Sequence, residues 1–247
     1  MAELPFVPVP RKAPVLFRVL LFHLELAALA GTAGLALLGL WPWTAVCAAL
    51  AVVAHLAGRT LSHRTPLPMP YLMRWVLHLP RGFQSPERLR RSLLPRAGER
   101  VLEIGPGVGI HALSMAARLL PEGVLDVLDA QPEMLDAIIR RAAGVGVTNI
   151  RPARGDAHRL PYPDATFDAA YMIGVLGEIP DQGAAMRELR RVLKPGGRVL
   201  IAEVLIDPDF VPFTALRRLG EKAGLSLIGR TGPGFSYMAL FRPLSES

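Results

Sequence analysis

Val101-Leu102-Glu103-Ile104-Gly105-Pro106-Gly107-Val108-Gly109 is the stretch on which the reading of this chain turns. It begins as a short apolar run of strand character and breaks into three glycines at alternate positions. Glycine supplies backbone conformations closed to other residues and lets the main chain approach a ligand without a Cβ in the way. An apolar-periodic run at 110–120 follows and reads as a helix, so the loop amides face whatever binds at its opening. A glycine loop alone is weak evidence, because dinucleotide-binding enzymes carry a related G-x-G-x-x-G. Here the spacing is G-x-G-x-G, and a carboxylate stands just before it.

Working outward, Ser85-Pro86-Glu87-Arg88 reads as an N-cap, a first-turn proline and an acidic first turn, opening a helix that runs to about Leu94. Strand-like runs stand at 100–104, 124–128, 150–153, 167–173 and 198–204, with helices at 132–143 and 184–193 between them. Alternating strands and helices predict βαβ units and a parallel sheet. Two further runs, 225–229 and 237–241, flank Thr231-Gly232-Pro233-Gly234 and should close the sheet with an antiparallel hairpin. The expected fold is α/β, a Rossmann-like seven-stranded sheet with helices on both faces.

Asp129 ends the second strand twenty residues beyond Gly109, where a carboxylate suits the two hydroxyls of a ribose. Gly155-Asp156-Ala157 follows the third strand. Leu160-Pro161-Tyr162-Pro163-Asp164-Ala165-Thr166-Phe167-Asp168 leads into the fourth, and Arg190-Arg191-Val192-Leu193-Lys194-Pro195-Gly196-Gly197 into the fifth. In this order and at this spacing the five elements resemble the class I S-adenosylmethionine (SAM)-dependent methyltransferases, in particular the branch with the ubiquinone/menaquinone enzymes. The resemblance spans about residues 89–242. It implies SAM as cofactor and S-adenosylhomocysteine as product. It also implies that Glu103, Gly105, Gly107 and Gly109 surround the methionine part, that Asp129 holds the ribose and Asp156 with Ala157 the adenine, and that Ala130 and Ile173 are further cofactor-binding candidates.

The segment after the fourth strand departs from the pattern. It reads Ile173-Gly174-Val175-Leu176-Gly177-Glu178-Ile179-Pro180-Asp181, with neither a histidine pair nor an Asn/Asp-Pro-Pro-aromatic motif. That argues against methylation of base or amide nitrogens. Glu178 occupies the usual histidine region and is the candidate general base, against the plainer role of a helix cap or arginine partner. His111, His158 and Tyr237 are candidate substrate contacts or structural groups. The single cysteine, Cys47, excludes an internal disulfide framework and a cysteine metal site, and no metal is expected.

The N-terminal third differs in kind. Between residues 13 and 61 the only side chains certain to be ionised are Arg18, Glu25 and Arg59. Apolar runs at 19–40 and 44–57 flank Trp41-Pro42-Trp43, the expected turn. A spanning helix needs about 20 apolar residues, so the first run qualifies and the second, at 14, is marginal. Indoles favour the membrane interface, while Arg11, Lys12 and Arg18 before the hairpin and Arg59, Arg64 and Arg74 after it direct both ends to the cytoplasm. A hairpin in one leaflet or a buried soluble bundle are the rival readings; a signal peptide fits poorly. Folding back about Pro42 brings Glu25 near Arg59, with His55 a turn away; otherwise Glu25 snorkels to the headgroups.

The formal charge of +7 gathers here too: residues 1–83 hold seven Lys/Arg against Glu3 and Glu25, whereas residues 84–247 hold 21 against 19. Such flanks suit an anionic membrane better than nucleic acid. After the proline-rich 66–70 connector, Tyr71, Leu72, Trp75, Val76 and Leu79 recur at helical spacing with Arg74, His78 and Arg81 between them. The pattern fits an interfacial helix or one packed on the catalytic domain. The expected domains are a membrane hairpin (1–65), an interfacial linker helix (66–84) and a methyltransferase domain (85–247). The function expected is membrane-anchored methylation of a lipophilic small molecule or lipid, at the cell membrane with the catalytic domain in the cytoplasm. The alternatives are a non-catalytic SAM-binding partner or assembly protein, and tRNA or protein methylation.

Overall fold

The computed structural model describes residues 12–78 and 84–244. Glu3, Arg11, Leu79 and Arg81, which enter the sequence reading above, lie outside the described residues. The chain divides into two compact units, Met1–Pro70 and Tyr71–Ser247.

The first unit contains two helices, α1 (Lys12–Leu37) and α2 (Trp41–Arg64). The turn lies at Leu38-Gly39-Leu40, with Gly39 at φ 71°, and not at the Trp-Pro-Trp expected from the sequence. Pro42 sits instead in the first turn of α2, where its missing N–H costs nothing. The helix so formed has 24 residues, three more than the expected 14-residue apolar run at its start and seven more at its end. Leu16–Leu37 and Trp41–Arg64 are both long and apolar enough to cross a membrane, with mean hydropathies of 1.7 and 1.5. Little of that surface is buried within the unit: Ala28, Ala51 and Ala54 are, while Leu20, Val53 and both indoles are exposed. Gly31 lets the helices meet, since a Cβ there would stand 3.2 Å from Cys47 Sγ. Glu25 meets His55 Nδ1 at 3.2 Å. Arg18 donates to Ser62 Oγ and, at 2.9 Å, to the Leu67 carbonyl, tying the open end of the hairpin together.

The second unit is built on a seven-stranded sheet. In chain order its elements are a 3₁₀ segment (Tyr71–His78), α3 (Pro86–Leu93), β1 (Arg100–Ile104), α4 (Ala112–Leu119), β2 (Val124–Asp129), α5 (Pro132–Gly144) and β3 (Ile150–Arg154). There follow β4 (Phe167–Ile173), a 3₁₀ turn (Leu176–Glu178), α6 (Gln182–Val192), β5 (Leu193–Val204), α7 (Phe213–Lys222), β6 (Leu225–Thr231) and β7 (Ser236–Pro243). The strand order is β3-β2-β1-β4-β5-β7-β6, with β1 to β5 parallel and β7 antiparallel to both of its neighbours. The expected α/β sheet and its closing hairpin are therefore present.

Strand periodicity sorts the side chains onto two cores. Leu102 and Ile104 point with Val199, Ile201 and Leu189 to one face; Val101, Leu125, Tyr171 and Leu200 pack with Leu89, Met115 and Ile138 on the other. Two details depart from the sequence reading. The Tyr71–His78 segment winds as a 3₁₀ helix, and Lys194-Pro195-Gly196-Gly197, expected to precede the fifth strand, is a bulge inside β5. Between Phe167↔Leu193 and Ala169↔Arg198, β5 advances five residues while β4 advances two.

Candidate active site

Strand order places the site. The chain runs β1 to β2 to β3 toward one edge, then returns to lay β4 on the other side of β1. Parallel sheets bind ligands outside the carboxyl ends of their strands, at such a reversal. Gly105, Asp129, Asp156 and Ile173 all stand at or just after the carboxyl ends of β1 to β4.

The glycine loop is fixed from within. The Gly105 amide donates to Leu128 O at 2.9 Å and the Gly109 amide to Pro106 O at 3.0 Å. All three glycines have positive φ, at 66°, 56° and 79°, a region that strains any residue with a side chain. The sequence assigned them to ligand approach, but their missing Cβ atoms face protein. A Cβ at Gly105 would meet Val175 at 2.5 Å, one at Gly107 would meet Leu77 at 2.6 Å, and one at Gly109 would meet Ile138 at 2.9 Å. The loop is thus wedged between α5, the segment after β4 and the Tyr71–His78 segment.

Glu103 is 3% exposed, and the Tyr171 hydroxyl on β4, its register partner, donates to Glu103 Oε2 at 2.7 Å. Burial, then the neighbouring Glu103 charge, pushes the Tyr171 hydroxyl well above the usual phenol range, so it stays a donor. Sequence reading missed Tyr171, whose spacing from Glu103 reveals nothing until β1 and β4 pair.

Asp129 is buried at the end of β2, and its Oδ1 accepts the Gln131 amide at 2.9 Å. Burial pushes its carboxyl up to about 6, against the lowering effect of the Gln131 and Ala130 amides. It is therefore mostly ionised at neutral pH and able to accept hydroxyl protons. The Gly155 amide donates to the Asp129 carbonyl at 3.2 Å, which locks the end of β2 to the loop carrying Asp156 and the buried Ala157.

Asp156 Oδ1 accepts the His158 amide at 2.9 Å and meets His158 Nδ1 at 2.6 Å. His158 Nε2 in turn accepts the Asp181 amide at 2.9 Å. His158 thereby links Asp156 to the start of α6. Tyr237 donates to Val211 O at 2.5 Å, and His111 is buried at the head of α4. Glu178 closes the 3₁₀ turn after β4, half-buried, beside Gly177. That glycine is forced, because a Cβ would come within 1.7 Å of the Asp209 carbonyl oxygen.

Two motifs that sequence reading treated separately are joined by Arg191. Its guanidinium donates to Glu188, to Asp164 and to the carbonyls of Leu160 and Tyr162, at 2.7 to 3.1 Å. Lys194 Nζ reaches Asp168 Oδ1 at 2.8 Å. Burial pushes the Asp168 carboxyl up, but the Lys194 ammonium, the Arg100 amide and the Arg198 charge outweigh it and hold it low. Among the described residues no three His, Cys, Asp or Glu side chains gather as a metal site.

A family profile described as a methyltransferase domain matches residues 101–197. The ubiquinone/menaquinone biosynthesis C-methyltransferase of Pasteurella multocida is 32% identical over 135 residues, covering 51% of this chain and 50% of that protein. The demethylmenaquinone methyltransferase of Deinococcus radiodurans is 38% identical over 110 residues, covering 44% of this chain and 45% of that protein. This chain spans about half the length of these curated relatives. A solved SAM-dependent methyltransferase from Aquifex aeolicus shares the fold at a TM-score of 0.64 and 19% identity, over 70% of this chain and 97% of that one. With the glycine loop, strand order and motif spacing in place, residues 101–197 match a methyltransferase domain, and the Tyr71–Ser247 unit is similar in sequence to quinone C-methyltransferases and in fold to a SAM-dependent methyltransferase.

Proposed function

We propose that this chain transfers a methyl group from SAM to a lipophilic acceptor, a quinol ring or a similarly apolar phenol or lipid, while its N-terminal hairpin (residues 1–65) holds it in the cell membrane. Residues 66–84 then form the interfacial linker and residues 85–247 the catalytic domain, on the cytoplasmic side. The observation that carries the reading is the convergence of Gly105, Asp129, Asp156 and Ile173 at the carboxyl edge of the sheet, on either side of the β1–β4 reversal.

The donor set fits the cofactor. Asp129 keeps one carboxylate oxygen on the Gln131 amide and offers the other to a ribose hydroxyl, beside Ala130. Glu103, anchored by Tyr171, stands two residues before Gly105 at the root of the loop, where an ammonium needs a carboxylate. Asp156 and Ala157 lie one strand further along, with Ile173 at the end of β4 closing the adenine side. Bound there, SAM supplies an electrophilic methyl carbon on a sulfonium. The protein's own part is alignment and exclusion of water, which account for much of the acceleration in an in-line displacement. Glu178, in the turn after β4, is the group assigned to take a proton from the acceptor.

The names of the relatives support a quinone-type ring as acceptor, and the apolar helices of the first unit give such a substrate a route that avoids water. The test is titration of the detergent-solubilised chain with SAM, followed by steady-state transfer to 1,4-naphthohydroquinone. The expected result is SAM binding lost by at least about a hundredfold in Asp129→Ala, and kcat lowered with KM for SAM unchanged in Glu178→Gln. Equal SAM affinity in Asp129→Ala would overturn the site. SAM binding without transfer to any apolar acceptor would favour the non-catalytic partner.

A further inference from the structure

The 3₁₀ segment Tyr71–His78 has two unlike faces. Met73 is buried and Leu77 lies against Gly107, so one side is pinned to the glycine loop. Within four residues of the same segment Leu72 is 70% and Trp75 42% exposed, two large apolar groups that keep part of their surface accessible. Beside them a cleft of about 300 Å³ is lined by Arg74, His78, Val108, Ala137, Arg140 and Arg141. Four of these six residues are basic types, and none is acidic. The Arg74 guanidinium stacks on Tyr71 at 4.4 Å, and Arg141 donates to Val108 O, so both are held in place. Arg140 and His78 engage no carboxylate among the described residues.

We infer that this face of the catalytic unit is a docking surface for an anionic phospholipid bilayer: Leu72 and Trp75 enter the interface and the Arg74–Arg140–Arg141 cleft receives a lipid phosphate. The inference rests on the membrane reading above and adds a second, headgroup-specific contact to it. Three features point to this occupant. Exposed Leu72 and Trp75 flank Arg74 on one short segment, with Arg140 and Arg141 beside it, the mixture of an interfacial element. Arginine's planar fork suits a phosphate, and three of them share one concave site. Six residues also separate the end of α2 from Tyr71, and that stretch of chain spans no more than about 25 Å. A bilayer that takes up the apolar hairpin is therefore within reach of Tyr71. Because Leu77 of the same segment touches Gly107, docking would also bear on the loop that faces the cofactor.

The test uses the full chain with Trp41→Phe and Trp43→Phe, which leaves Trp75 as the only indole. The chain is reconstituted into vesicles of phosphatidylcholine alone or mixed with phosphatidylglycerol, each carrying lipid brominated near the headgroup end of the acyl chain. Trp75 quenching should rise with phosphatidylglycerol, fall with added salt, and fall again in Arg74→Gln/Arg140→Gln. Each arginine removed should weaken the contact about fivefold at low ionic strength. Quenching that is equal in the two lipids, or unchanged by the double substitution, overturns the docking surface. So does a Trp75 response to inorganic phosphate in detergent that vesicles do not reproduce, which would make the cleft a site for a soluble phosphate ligand. Resistance of the chain to alkaline extraction is scored separately and reports on the hairpin. A chain that stays in the vesicle while Trp75 ignores phosphatidylglycerol keeps the anchor and loses this proposal; a chain that washes off while Trp75 still responds does the reverse.

Discussion

The two units of this chain are both rich in leucine, valine and alanine, and they put them in opposite places. In the second unit Leu89, Leu102, Leu125 and Val199 are sealed between sheet and helices. In the first, Leu16, Leu20, Val52 and Val53 face outward, and only small residues such as Ala28, Ala51 and Ala54 are covered. Two helices that are apolar nearly all round cannot hide their side chains in each other, so most of that surface stays exposed. Apolar composition therefore says little until its period is known. Alternation at two or 3.6 residues makes one buried face, whereas an unbroken apolar run makes none.

The largest effect expected on the folded side of this comparison is at Gly177. Gly177→Ala places a methyl against the Asp209 carbonyl and should cost about 4 kcal/mol, read as a lower thermal transition of the catalytic unit. On the other side, Val52→Asp should release the chain from membranes, since a carboxylate in a span costs about 3 kcal/mol. It should leave the catalytic unit's transition within about 0.5 kcal/mol, as an exposed position does. A fall in that transition would mean that Val52 is covered by protein, and the contrast between the units would fail.

A smaller effect sharpens the account of the cofactor side. Asp129 accepts hydroxyl protons only when ionised, and burial brings its protonation up to about 6. SAM affinity should therefore weaken by up to about tenfold for each pH unit below about 6, or about 1.4 kcal/mol per unit, and level off above it. Asp129→Asn should bind SAM weakly and without this slope. In the ligand-free chain the same residue acts in the other direction. A raised carboxyl favours folding while protonated, so its contribution is lost as pH rises from 3.8 through about 6.

The smallest effect expected is at Lys194→Ala, about 0.5 to 1 kcal/mol, because the Asp168 pair is partly exposed. Asp168 is held low, so what it contributes is present at neutral pH and lost on acidification. Acid denaturation of Lys194→Ala should therefore converge on that of the parent chain at low pH.

The seven strands and their order of appearance were legible in the sequence because glycine, proline and alternation mark where each begins and ends. Asp129 and Asp156 were legible as a pair because each ends or follows a strand at motif spacing. What was not legible depends on residues far apart in the chain. The Tyr171–Glu103 bond joins residues 68 apart, and His158 reaches Asp181 across 23. Arg191 stands in the motif before β5, yet nothing in that motif shows that it stitches the loop before β4 to α6. The hairpin turn was misplaced for a local reason. Pro42 between two tryptophans resembles a break, but a proline in the first turn of a helix is a start, and Gly39 three residues earlier carries the positive φ. The bulge at 194–197 likewise keeps strand pairing on both sides of glycines that read as a turn.

The central claim is that the sheet's carboxyl edge delivers a methyl group to an apolar acceptor at the membrane. Membranes containing the chain, supplied with methyl-labelled SAM and extracted with organic solvent, test it most directly. The account predicts label in the organic extract that disappears with Asp129→Ala. Label confined to the aqueous phase, or label in the extract that survives Asp129→Ala, would contradict it.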